Sequence, residues 1–174
     1  LSGQNSRELA TRAYQECMNF IRDFDTEHGN LLLFGNTGIG KTFLSHCIAK
    51  EVMDSLHSVL YLTASEFFDA LLEKALNRND ESCLLYEQIH LCDLLIIDDL
   101  GTERNTDFVV SQLFVCLNDR ILNRKSTIIS TNLTLEEIKT NYTERTFSRI
   151  SNHYKILRLA GDDIRIQKKL MYRE

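Results

Sequence analysis

In Gly35-Asn36-Thr37-Gly38-Ile39-Gly40-Lys41-Thr42, three glycines precede a lysine and a hydroxyl. A glycine backbone can curl so that successive N–H groups point inward, forming a concavity that suits phosphate oxygens. A helix opening at Lys41 would add the positive end of its dipole at the same point. The spacing fits G-x-x-x-x-G-K-[ST], so Lys41 is expected to reach the β- and γ-phosphates of a nucleotide, with the hydroxyl of Thr42 on Mg2+. The expected ligand is Mg-ATP, cradled by Gly35 to Thr42.

Two further polar groups follow apolar runs. Leu94-Leu95-Ile96-Ile97 leads into Asp98-Asp99, and Thr127-Ile128-Ile129-Ser130 leads into Thr131-Asn132. A buried strand would deliver such groups to its C-terminal edge, where open α/β sheets bind ligands. Asp98 is expected to hold Mg2+ through water, and Asp99 to orient the attacking water. Asn132 is expected to hydrogen-bond the γ-phosphate or that water. Tandem acids and a terminal amide suit phosphoryl transfer to water. A small-molecule kinase, which needs an Arg-rich mobile lid and an acceptor pocket, is the less favoured alternative.

The elements that must position these groups are legible from periodicity. Ala10, Ala13, Tyr14, Cys17, Ile21 and Phe24 recur at helical spacing, predicting a helix over 6–24 that opens on an Asn5–Glu8 capping box. Strands are expected at 31–34, 59–62, 94–97, 127–130 and 154–159, most of them short continuous apolar runs. Helices are expected at 41–56, at 65–90 in two pieces with Ser65 as the first cap, at 108–122 and over most of 135–150. Strands alternating with helices imply a parallel, doubly wound sheet.

Composition narrows the class. The chain has 174 residues, 43% apolar and 26% charged, ordinary values for one globular domain. No apolar stretch approaches the roughly 18–20 residues that span a bilayer. The first residues lack the basic and apolar regions of a secretory leader, so a cytoplasmic location is expected. Five cysteines without a C-x-x-C pair give no metal-ligand spacing. The net charge of −5 argues against coating nucleic acid by bulk attraction. That charge is uneven, because residues 142–174 carry 8 basic and 4 acidic side chains against 12 and 21 in residues 1–141. The basic tail, with Arg120, Arg124 and Lys125, is expected to face phosphate or an acidic neighbour.

Taken together, GNTGIGKT, LLIIDDLGTE, STIISTN and ERTFSRI resemble the Walker A, Walker B, sensor 1 and arginine-finger segments of AAA+ ATPases. LLIIDDLGTE in particular is similar to that of the DnaC/DnaI helicase loaders and the transposition helper ATPase IstB. The resemblance runs from about Leu31 to Arg165. It implies an α/β fold with a five-stranded P-loop NTPase (AAA+/ASCE) sheet in one domain over 1–174, the helices at 65–90 being the initiator/loader insertion. The short stretch after Arg165 implies that a helical lid is largely absent. Arg149 is implied as the finger that reaches a neighbour's ATP, with Arg145 as second candidate, and Arg165 as the sensor 2 arginine. Asp99 stands where many AAA+ proteins have Glu, so hydrolysis is expected to be slow in isolation. The implied partners are a replicative hexameric helicase, single-stranded DNA and further copies of the chain assembled with ATP. A partner-binding domain upstream of Leu1 is implied as well. A transposition helper is the alternative with the same motifs.

Overall fold

A computed structural model describes residues 6–76, 80–104 and 106–161. The chain runs α1 (Ser6–Arg22), β1 (Leu31–Phe34), α2 (Lys41–Asp54), β2 (Val59–Thr63), α3 (Ala64–Ala75) and α4 (Asp80–Leu91). It continues through β3 (Leu94–Leu100), α5 (Asp107–Leu122), β4 (Ser126–Thr131), α6 (Leu135–His153) and β5 (Lys155–Arg158). All five strands are parallel, in the order β2-β3-β4-β1-β5. The fold is the expected doubly wound α/β sheet.

Strand residues alternate between two apolar layers. Leu31, Leu33, Leu94, Ile96 and Ile128 pack with α1 and α2 through Cys17, Phe20, Ile48 and Val52. Leu32, Leu95, Ile97 and Ile129 face the opposite layer, built from Phe67 and Leu71 of α3, Ile89 of α4, Leu113 and Leu117 of α5, and Ile138 and Ile150 of α6. Burial on both faces explains why these strands read as unbroken apolar runs. No helix among the described residues is long and apolar enough to cross a membrane.

Several boundaries differ from the sequence expectation. The first helix ends at Arg22, and Phe24 sits in the tight turn beyond it, its N–H bonded to Ile21 O. The helix expected to reach Leu56 stops at Asp54, because Leu56 adopts φ 66°. Ser65 does not cap α3. Thr63 does, in a capping box with Glu66, because the chain turns helical directly off the end of β2. The cap expected at Asn5 lies outside the described residues.

Near the strands' N-terminal ends, polar side chains fasten the elements together. Asn30 accepts the Thr127 N–H at 2.7 Å and donates to His153 O at 3.2 Å, tying β1, β4 and α6. Asp93 accepts from the N–H and hydroxyl of Ser58 at 3.0 and 2.7 Å and pairs with Lys125 at 2.9 Å. Arg120 corrects an expectation. It is fully buried, so it does not track phosphates. Its guanidinium donates to Thr127 Oγ1 at 2.9 Å, Ile89 O at 2.7 Å, Cys92 O at 3.2 Å and Ser126 O at 2.6 Å. The planar fork of donors pins the end of α4 and the turn after it to the start of β4. Arg124 is exposed beside it, while Lys125 is taken up by Asp93.

Candidate functional site

The glycine loop links β1 to α2 at the sheet's C-terminal edge. Gly35, Gly38 and Gly40 have φ of 143°, 80° and 100°. The first of these is also a close approach: a Cβ at Gly35 would lie 2.3 Å from Leu159 O and 2.7 Å from Ile39 Cδ1. Gly40 occupies the N-cap of α2 without a side-chain cap, and no acidic residue stands in the first turn. The N–H groups at that helix end therefore face no competing carboxylate from their own turn.

Lys41 is only 5% exposed. Its ammonium donates to Gly35 O at 2.8 Å, Asn36 O at 2.9 Å and Asn132 Oδ1 at 2.6 Å. The amide of Asn132 also accepts from Thr37 Oγ1 at 3.4 Å and reaches Asp99 Oδ1 through Nδ2 at 3.5 Å. The strand order explains this placement, because β4 lies between β1 and β3 and its end therefore stands between the loop and the acids. Thr42 Oγ1 donates to Asp98 Oδ2 at 3.1 Å, across from α2 to β3.

Two adjacent acids on a regular strand would point to opposite faces. Here β3 continues past both of them to Leu100, and its register with β4 shifts between Ile97 and Leu100. Asp99 takes φ 56°, a left-handed conformation that Asp tolerates better than most residues. Ser130 fastens the bulge. Its hydroxyl donates to Asp98 Oδ1 and accepts the Asp99 N–H at 3.0 Å. Backbone strain and the extra residue thus re-aim two neighbouring carboxylates toward one edge.

The structure therefore gathers Thr37, Lys41, Thr42, Asp98, Asp99 and Asn132 into one bonded group, with Asn36, Gly38 and Ile39 in the same loop. Arg145 and Arg149 lie outside it, on α6 beyond a break at Tyr142 and Thr143. Arg145 is exposed and Arg149 half-buried, and neither guanidinium has an ion pair or hydrogen bond among the described residues. Arg165 lies outside the described residues. Sequence reasoning passed over Ser130, although it stands in the same strand-end segment, two residues before Asn132. It also passed over Tyr61 of β2, whose ring stacks on His46 at 4.4 Å and whose hydroxyl lies near Asp98. Burial, then the hydrogen-bonding carboxylate of Asp98 and the charges of Asp98 and Asp99, push the Tyr61 phenol up. No sequence signal marks that residue.

The family described as IstB-like ATP binding protein matches residues 4–171. The chain belongs to that family. This IstB-like chain is 27% identical over 133 residues to the replicative helicase loader DnaI of Bacillus subtilis, covering 75% of this chain and 42% of that protein. Its fold is similar to that of the DnaC helicase loader, with a TM-score of 0.78 at 22% identity over 92% of this chain and 94% of the other. It is equally similar to the replication initiator DnaA bound to AMPPCP and single-stranded DNA, with a TM-score of 0.77 at 20% identity over 98% and 52% of the two chains. The chain spans 31% to 49% of the length of the first curated relatives it matches. The IstB-like assignment and these neighbours agree with the AAA+ resemblance of the motifs.

The donor set fits the ligand that the family name implies. Thr42 and Asp98 present a hydroxyl and a carboxylate 3.1 Å apart, the hard oxygen donors Mg2+ prefers. The Gly35 N–H is taken by Thr131 O at 3.3 Å, so an anion would be met by the N–H groups beyond it, toward the N-terminus of α2.

Proposed function

We propose that this IstB-like domain binds Mg-ATP, hydrolyses it to ADP and phosphate, and serves as the ATPase of a helicase loader. The observation that carries the reading is the chain of contacts from Lys41 through Asn132 to Asp99, set beside the Thr42–Asp98 pair. Mg-ATP would supply the phosphoryl group and, through the ion, draw charge from its oxygens. Lys41 and the N–H groups of α2 would neutralise the phosphates. Thr42 and Asp98 would hold the ion. Asp99 would orient a water and take its proton, with Asn132 fixing the carboxylate against the Lys41 side of the site. Asp is one methylene shorter than Glu, which supports slow turnover in isolation.

Arg149, with Arg145 as second candidate, would complete a neighbour's site and stabilise the charge that develops there. Arg165 would contact the nucleotide from its own chain. The partners would be a replicative hexameric helicase and single-stranded DNA, a reading supported by a relative named as a replicative helicase loader and by a fold neighbour bound to single-stranded DNA. A transposition-helper role is the second reading, and the IstB-like family match over residues 4–171 favours it. ATP-dependent co-assembly of the protein with a purified hexameric helicase supports the loader. Stimulation of a transposase on duplex DNA, without such co-assembly, replaces it with the helper.

Mixing mutants tests the shared site. Arg149→Ala should bind ATP normally yet lose the rise in specific rate with protein concentration. Mixed with Lys41→Ala, it should regain activity, because one junction then pairs an intact pocket with an intact finger. A specific rate independent of concentration, with no rescue on mixing, removes Arg149 from the shared site.

A further inference from the structure

One hydrogen-bonded pair outside the phosphate loop joins the acid-bearing strand to the helix that carries Arg145 and Arg149. Glu103, just past β3, accepts the Gly101 N–H through Oε2 at 2.9 Å and the Tyr142 hydroxyl through Oε1. On the strand side, Thr102 Oγ1 donates to Asp99 O at 2.9 Å. Gly101, in the same turn, has φ 103°, and a Cβ added there would lie 2.6 Å from Leu133 Cδ1. The segment from Asp99 to Glu103 is thus closed by its own hydrogen bonds, which tie the Glu103 carboxylate to the backbone at Asp99.

On the helix side, Tyr142 is 1% exposed and stands where α6 breaks. Tyr142 has φ −119° and ψ 15°, and Thr143 has φ 73° and ψ 157°. A β-branched residue at that φ is strained and persists only where its surroundings hold it. The first part of α6 is anchored by the Thr134–Glu137 capping box. The part beyond the break, carrying Arg145 and Arg149, is set by the torsions at 142 and 143. Burial, then the hydrogen bond to Glu103 and its charge, raises the Tyr142 phenol, so its hydroxyl remains a donor.

We infer that Glu103 and Tyr142 form a positioning latch that couples the backbone at Asp99 to the second part of α6. The latch sets where Arg145 and Arg149 are presented to a neighbouring subunit. Neither residue touches the phosphates or the acids. The inference rests on the ATPase reading above.

Hydrogen exchange of the intact protein, with and without Mg-ATP, tests it. In the wild type, Mg-ATP should slow exchange in residues 35–48 and also in residues 144–153, the latter on the order of tenfold for one charge-assisted bond made firmer. Tyr142→Phe and Glu103→Ala should each keep the protection at 35–48 and lose it at 144–153, with Glu103→Gln intermediate. Arg149→Ala should keep both. Wild-type protection of 144–153 in Tyr142→Phe or Glu103→Ala, or its absence in the wild type, overturns the latch. If Mg-ATP protects nothing at 35–48, the ATP-binding reading falls, and the latch with it. If Arg149→Ala leaves concentration-dependent hydrolysis intact while the latch variants lose protection, the finger role falls and the latch stands.

Discussion

Two buried cations lie at opposite edges of the same sheet. Lys41 stands at the C-terminal edge and Arg120 near the N-terminal edge, 5% and 0% exposed. Both donate mainly to neutral acceptors. Their surroundings differ in kind. Arg120 bonds to acceptors fixed by α4, β4 and the turn before β3. Lys41 sits in a glycine loop among backbone carbonyls and a side-chain amide, beside an acid held at φ 56° and a bulged strand. One edge is a fastening, with Asn30, Asp93 and Arg120 each bonded across elements. The other holds its groups in a strained arrangement aimed outward, which a fold retains where a ligand is to be met. A buried charge alone does not distinguish the two roles. The backbone around it does.

The largest expected effect tests this contrast directly. Arg120→Ala strands the carbonyls of Ile89, Cys92 and Ser126 and should cost about 3 kcal/mol or more. Lys41→Ala should change unfolding free energy by no more than about 1 kcal/mol. It should weaken ATP binding about tenfold to a hundredfold. Denaturant unfolding and calorimetry on both variants check the cross. A Lys41→Ala protein as unstable as Arg120→Ala would erase the distinction between the edges.

Next come the acids of the site edge. Asp99→Asn should retain Mg-ATP while slowing phosphate release about a hundredfold or more, since an amide is no base. Asp98→Asn should instead weaken the Mg2+-dependent part of binding. Equal phosphate-release rates for Asp99→Asn and wild type would show that the bulge aims the wrong carboxylate.

The acid of the opposite edge makes a matched comparison of smaller size. Burial raises the Asp93 carboxyl, but the Ser58 hydroxyl, the Lys125 ammonium and the Ser58 N–H outweigh it and hold it well below the usual carboxylate range. A depressed folded-state value stabilises the fold above the unfolded pKa of about 3.9, and that stability is lost as pH falls from there through the folded value. Asp93→Asn should flatten stability against pH below about pH 4 and leave nucleotide affinity untouched. Unfolding curves across the acid range read the slope.

The smallest effect concerns a cap. Thr63→Ala should cost about 1 kcal/mol through loss of the α3 capping box, whereas Ser65→Ala should cost a few tenths at most. Thermal unfolding of the two variants separates them.

Much of this edge is legible in the residues. Gly35 to Thr42, Asp98-Asp99 and Asn132 follow apolar runs that a parallel sheet buries on both faces, so their shared edge follows from pattern alone. The bulge at Asp99 does not, because a register shift is settled by the hydroxyl of Ser130 on another strand. Arg120 reads as a surface charge, since its helix shows the residue type and not the carbonyls that surround it. Thr63 and Glu66 carry the capping spacing, as do Thr134 and Glu137, but the apolar run of β2 hides how late the strand ends. For Arg149 the proposed role needs a neighbouring subunit, which no single chain contains.

The contact between Gly35 and Leu159 has a mechanical side. The first glycine of the phosphate loop rests against the carbonyl of Leu159, whose own N–H is bonded to Phe34 O at 2.9 Å. The strand β5 is the sheet's edge, so the chain that leaves it departs from directly against the loop. A pull on that departing segment acts on the loop with almost no lever arm between them. Whatever grips the chain beyond Leu159 would thereby have its hand on the nucleotide cradle, and strain applied there would register first as a change in how firmly phosphate is held.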